Sequence, residues 1–130
     1  MSINNKESEI VTVVVADDTK ELRELIVRLL HKHPLLNVVG QAFDTESTLE
    51  SVATHLPDVA LIDLSMPGNG GLYAIAEIKI RYPECRVVVL SGLPRDQAEN
   101  AALAAGAVRY LEKGVEIGEV VEAVFNAGQR

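Results

Sequence analysis

The chain has 130 residues, is 48% hydrophobic but only 4% aromatic, and carries a formal net charge of −7, so it is one domain's length with a core built from Val, Leu, Ile and Ala. The negative charge argues against non-specific nucleic-acid binding through a basic surface and disfavours anionic membranes, and the lone Cys85 excludes an internal disulfide. No apolar run approaches the roughly 20 residues of a membrane span, and "MSINNKESEI" has no signal-peptide apolar stretch, so the chain reads as soluble and cytoplasmic.

Residues 1–8 read as a loose arm. "IVTVVVA" (Ile10–Ala16) is a β-branched run and predicts a buried strand. In Thr19–Lys32, Leu22, Leu25, Ile26, Leu29 and Leu30 recur at three- and four-residue steps and predict a helix. "NVVGQA" (Asn37–Ala42) is a weaker strand pattern, followed by a helical pattern over Thr45–Leu56. "VALID" (Val59–Asp63) predicts a third strand, Leu72–Tyr82 a helix, "RVVVLS" (Arg86–Ser91) a fourth strand and Arg95–Ala105 a helix. "AVRYLE" (Ala107–Glu112) and Ile117–Asn126 complete the series, and residues 128–130 read as a frayed end. Pro34, Pro57 and Pro83 punctuate the helix-to-strand joints, and Gly106 is placed like a helix stop. Strict alternation of five strands and five helices implies right-handed βαβ crossovers and a doubly wound parallel α/β sheet.

In such a sheet, ligands bind at the carboxyl ends of the strands. Asp17 and Asp18 end the first strand, Asp63 the third and Ser91 the fourth, and Lys113 follows the fifth. Five polar residues from four strands therefore meet on one edge of an apolar sheet. Three clustered carboxylates need a cation to offset their repulsion. An oxygen donor set without a His or Cys ligand group suits Mg²⁺.

The Asp17–Asp18 pair, "DLSMPGNGG" (Asp63–Gly71), Ser91 and Lys113 resemble, in order and spacing, the receiver domain of two-component response regulators. The resemblance runs from about Ile10 to Ala127 and implies a (βα)5 flavodoxin-like fold, with the receiver domain taken as residues 9–130. It implies that Asp63 accepts a phosphoryl group from a sensor histidine kinase. Asp18, Asp63 and the Ser65 main-chain carbonyl would bind Mg²⁺ directly, and Asp17 through a metal-bound water. Lys113 would pair with Asp63 and then with the phosphoryl oxygens, to which Ser91 would donate its hydroxyl. Tyr110 matches the family's switch aromatic, its ring expected to move inward as Ser91 shifts. The implied output is a changed helix 4, strand 5 and helix 5 surface for a protein effector or a phosphorylation-dependent homodimer. The chain is then no enzyme beyond its own phosphorylation and dephosphorylation. Gly114 stands where many receivers have proline, and Ser65 and Leu93 occupy variable positions that tune phosphoryl lifetime in the family.

Plainer readings stand beside these. Asp17 and Asp18 fit a helix N-cap, Asp63 and Ser91 fit turns, and Tyr110 fits ordinary packing. His31, His33 and His55 read as surface residues, and Cys85 as a small hydrophobe. An aspartyl phosphatase would need Asp-x-Asp-x-Thr, which "DDTKE" does not supply. A flavin or cobalamin carrier would need a phosphate loop after the first strand or an Asp-x-His-x-x-Gly motif, and neither occurs. A receiver-fold interaction module acting without phosphate is the other alternative, although clustered carboxylates serve it no purpose. The segment from Gly106 onward resembles receivers that precede helix-turn-helix domains. The expectation is a stand-alone receiver of that lineage or one cut from a longer regulator, with no direct nucleic-acid binding and no membrane contact by these residues.

Overall fold

The computed structural model describes residues 9–129. The loose arm expected over residues 1–8, and the terminal Arg130, lie outside them. The strands are β1 (Val11–Ala16), β2 (Leu36–Ala42), β3 (Val59–Ile62), β4 (Arg86–Ser91) and β5 (Arg109–Glu112). The helices are α1 (Lys20–Leu30), α2 (Thr45–His55), α3 (Gly70–Arg81), α4 (Arg95–Ala105) and α5 (Ile117–Ala127). All four strand pairings are parallel, in the order β2-β1-β3-β4-β5. The chain steps outward from β1 to β2 and returns to place β3 on the other side. The direction of winding therefore reverses at β1, and a crevice opens beyond the carboxyl ends of β1 and β3.

Period-two alternation divides the core into two layers. Ala60 and Ile62 of β3, Val87 and Val89 of β4 and Tyr110 of β5 face one side, against Val52, Ile75, Ile78, Ala98 and Ala102 from α2, α3 and α4. Val59, Leu61, Val88, Leu90 and Leu111 face the other, against Ile26 and Leu30 of α1 and Val120, Ala123 and Val124 of α5. Each Val, Leu or Ile side chain buried this way contributes roughly 1.5–3 kcal/mol. Cys85 lies in the first layer, and burial, with help from the Asp58 charge, pushes its thiol pKa up to about 12. It is a packing residue.

Local signals set most element ends. Asp44 opens α2 with a capping box: its carboxylate accepts the Ser47 N–H at 2.7 Å, and Ser47 Oγ accepts the Asp44 N–H at 3.2 Å. The Ser47 hydrogen bonds hold the Asp44 carboxyl below its usual range. Helix α3 begins at Gly70, two residues before the periodic pattern predicts. The Gly71 N–H donates to the Leu64 carbonyl at 3.1 Å, which folds the loop after β3 back over that strand end. A side chain at Gly71 would meet the Asp63 carbonyl oxygen at 2.6 Å, so a glycine that reads as loop is required there. Strand β5 begins at Arg109, later than the predicted Ala107, because the Ala107 N–H closes the end of α4 on the Ala102 carbonyl.

Candidate functional site

The sheet's own hydrogen bonds run past the strand ends and fix the backbone of Asp17, Asp63, Ser91 and Lys113. The Asp17 N–H donates to the Ala42 carbonyl at 3.0 Å, the Asp63 N–H to Ala16 at 3.0 Å, and the Lys113 N–H to Ser91 at 2.7 Å. Asp17, Asp63 and Ser91 are buried, whereas Asp18 is exposed.

The side chains converge. Lys113 Nζ lies 3.0 Å from Asp17 Oδ2 and 3.2 Å from Asp63 Oδ2. Asp17 Oδ1 accepts the Thr19 N–H at 2.9 Å, and Asp63 Oδ1 accepts the Ser65 N–H at 3.2 Å. Both oxygens of both buried carboxylates are thus engaged. Burial alone would lower the Lys113 pKa, but the hydrogen bond to Asp17 and the charge of Asp63 outweigh it and hold the ammonium above its ordinary value. One carboxylate oxygen from each of Asp17, Asp18 and Asp63 lies within 4.8 Å of the other two. Three carboxylates face one ammonium, so the pocket keeps a negative excess. Its all-oxygen donor set suits a small hard cation.

The residues at this edge match a known pattern along most of the chain: residues 13–125 fit the response regulator receiver domain. The chain belongs to the response regulator receiver domain family. This receiver is 37% identical over 127 residues to the transcriptional regulatory protein NarL of Mycobacterium tuberculosis, a match covering 98% of this chain and 59% of that protein. It is 38% identical over 122 residues to the response regulator GacA of Pseudomonas viridiflava, covering 92% of this chain and 57% of that one. The chain therefore spans somewhat more than half the length of these relatives. The solved signal receiver domain of NarL from Mycobacterium tuberculosis matches with a TM-score of 0.88 at 38% identity, covering 92% of this chain and 97% of that one. A LuxR-family two-component response regulator from Aurantimonas sp. SI85-9A1 matches at 0.87 with 27% identity, covering 94% and 89%. The doubly wound, flavodoxin-like receiver fold expected from the sequence is the fold found.

The receiver's remaining candidates sit on the β4–α4 side. Ser91 Oγ accepts the Leu93 N–H at 3.1 Å, and the Tyr110 hydroxyl donates to the Leu93 carbonyl at 2.6 Å. The Tyr110 ring is only 1% exposed. The ring expected to move inward is already inward in this structure, packed against Ala98 and Ala102 of α4 in one core layer. Gly114 has φ +107, a conformation that suits glycine and explains a glycine directly after Lys113. Among the described residues, His31, His33 and His55 lie outside the carboxylate cluster. His31 Nε2 accepts the Val38 N–H and His33 Nδ1 the Leu35 N–H, each at 3.0 Å, and the His33 ring lies 4.7 Å from that of Phe125. The first two histidines therefore support backbone, a role beyond the plain surface positions expected from the sequence.

Sequence reading missed one contact and two residues. Lys113 pairs with Asp17 as well as Asp63. Arg23 reaches back from α1 to donate to the Asp17 main-chain carbonyl at 2.8 Å and to Gln41 Oε1 at 3.1 Å, holding the β1–α1 turn. Glu112 accepts the Arg95 N–H at the start of α4. No local signal marks the partners of Arg23, 6 and 18 residues away, or that of Glu112, 17 residues away.

Proposed function

We propose that this receiver takes a phosphoryl group from a sensor histidine kinase onto Asp63 and passes the change to the surface formed by α4, β5 and α5. One observation carries the reading: Lys113 Nζ sits between the two buried carboxylates Asp17 and Asp63. A buried carboxylate beside a fixed ammonium and an acidic pair is equipped to accept phosphorus and hold the resulting charge. In the transfer, a carboxylate oxygen of Asp63 forms the new O–P bond while the N–P bond of a phosphohistidine breaks, and that electron pair returns to the imidazole nitrogen. Lys113 stays as counter-charge to the phosphoryl oxygens. The Ser91 Oγ accepts from Leu93, which leaves the hydroxyl's own proton free for a phosphoryl oxygen.

The carboxylates fit Mg²⁺, with Asp18, Asp63 and the Ser65 main-chain carbonyl as direct ligands. Asp17 would act through a metal-bound water while its carboxylate holds Thr19 and Lys113. Bound Mg²⁺ would offset charge on the transferring phosphoryl group. The chain performs no catalysis beyond its own phosphorylation and dephosphorylation. Its partners are the kinase and either a protein effector or a second copy. The proposed setting is cytoplasmic; among the described residues no helix is long and apolar enough to cross a membrane.

The test is labelling with acetyl phosphate and Mg²⁺, read by intact mass and peptide mapping. Labelling should fall on Asp63 and vanish in Asp63→Asn. Stoichiometric labelling of that variant would overturn the assignment.

A further inference from the structure

Helix α4 has no cap of its own. Its N-cap residue is Pro94, which makes no side-chain cap hydrogen bond. The missing acceptor comes from another element: the Glu112 carboxylate, at the end of β5, accepts the N–H of Arg95, the first residue of the helix. A carboxylate is also the group favoured by the partial positive charge at a helix N-terminus. Arg95 returns a second bond, its guanidinium donating to the Tyr110 carbonyl at 3.3 Å. The Tyr110 hydroxyl adds a third, to Leu93. Tyr110 and Glu112 are two apart on one strand and therefore share a face. Together they hold residues 93–95 from a single side.

Glu112 also immediately precedes Lys113, whose N–H is bonded to Ser91 and whose ammonium is bonded to Asp17 and Asp63. We infer that Glu112 is a latch: it caps α4 in trans and ties the position of that helix's first turn to the position of Lys113. The regulatory half of this inference rests on the phosphoacceptor reading of Asp63, and the capping half does not. When Lys113 follows a phosphoryl group, the adjoining residue carries the displacement to Arg95 without waiting for the Tyr110 ring. Glu112 touches none of the reacting atoms. It is a positioning residue for the switch surface.

Amide hydrogen exchange and NMR on the whole chain test both halves. In Glu112→Ala, the Arg95 amide should exchange about tenfold faster than in the unaltered chain, while the Lys113 amide keeps its rate and shows that β5 is intact. Glu112→Gln keeps an acceptor oxygen and should fall between the two. An Arg95 rate within about twofold of the parent in Glu112→Ala overturns the capping role. With Mg²⁺ and beryllofluoride as phosphoryl stand-in, the parent should shift at residues 63–66 and again at 95–98. Glu112→Ala should keep the first set and lose at least half of the second. Full shifts at 95–98 in that variant overturn the latch. No shift at 63–66 in the parent would instead overturn the phosphoacceptor reading, and the exchange rates would still decide the cap.

Discussion

Lys113 Nζ lies 3.0 Å from Asp17 Oδ2, slightly nearer than the 3.2 Å that separates it from Asp63 Oδ2. The lysine is thus shared between a carboxylate that also pins the start of α1 and one that sits at the end of β3. Removing it would leave two buried carboxylates facing one another. Lys113→Ala should therefore destabilise the fold by roughly 3 kcal/mol, the low end for a broken buried pair because the lysine side chain is itself 27% exposed. Divalent cation should restore part of the loss. Thermal melts with and without Mg²⁺ should show a lower midpoint and a larger Mg²⁺-induced rise than in the parent. An unchanged midpoint would mean the pair contributes nothing.

Asp17 and Asp18 should separate cleanly despite being neighbours. Asp18 is exposed and, among the described residues, has no partner that relieves its repulsion from Asp63, so Asp18→Ala should raise stability without metal and weaken Mg²⁺ binding strongly. Asp17 anchors Thr19 and Lys113, so Asp17→Ala should lower stability by about 1–3 kcal/mol and weaken Mg²⁺ less. Mg²⁺ titrations followed by thermal shift check the order. Equal effects of the two substitutions would remove the distinction.

The pH dependence has a definite sign. The folded Lys113 pKa is raised above its ordinary 10.5. Its contribution is therefore fully present below pH 10.5 and is lost as pH rises through the folded value. The stability difference between the parent and Lys113→Met should stay constant from mild pH up to that point and shrink above it. Urea melts on both proteins across the alkaline range measure this. A difference that grows above pH 10.5 contradicts it.

Two glycines make opposite predictions. A Cβ at Gly71 would meet the Asp63 carbonyl oxygen and the Leu64 Cα, each at 2.6 Å, and neither is a flexible side-chain end. Gly71→Ala should lower stability by more than 1 kcal/mol and slow acetyl phosphate labelling, because the Asp63 backbone must move. Gly118 lies in α5 with nothing within 4 Å of a built Cβ. Gly118→Ala should leave labelling unchanged and stabilise by up to about 1 kcal/mol. Denaturant melts alongside labelling rates distinguish the pair.

Tyr110→Phe should keep the buried ring and lose only the bond to the Leu93 carbonyl. The expected loss is about 1 kcal/mol, with amide shifts concentrated at residues 91–95. Changes confined to α5 would show that the hydroxyl does not hold the β4–α4 loop.

The sequence by itself determined the alternation of five strands and five helices and the edge to which the polar residues would come. β-branched runs ending on Asp17, Asp63 and Ser91 and helical steps such as Ile26 and Leu30 are local patterns, and parallel winding sends every strand end to one side. What it left undetermined were the contacts that side chains make across the fold. Lys113 reaches Asp17 across the sheet, Glu112 caps a helix 17 residues earlier, and Arg23 braces the turn that holds Asp17. Such contacts are set by strand order and register: Ser91 lies opposite Glu112 only because β4 pairs with β5 in that frame. The inward Tyr110 ring is decided the same way, by the space that neighbouring elements leave. Local periodicity reports which face of an element is apolar, and only the packed fold reports what that face, or the charge beside it, meets.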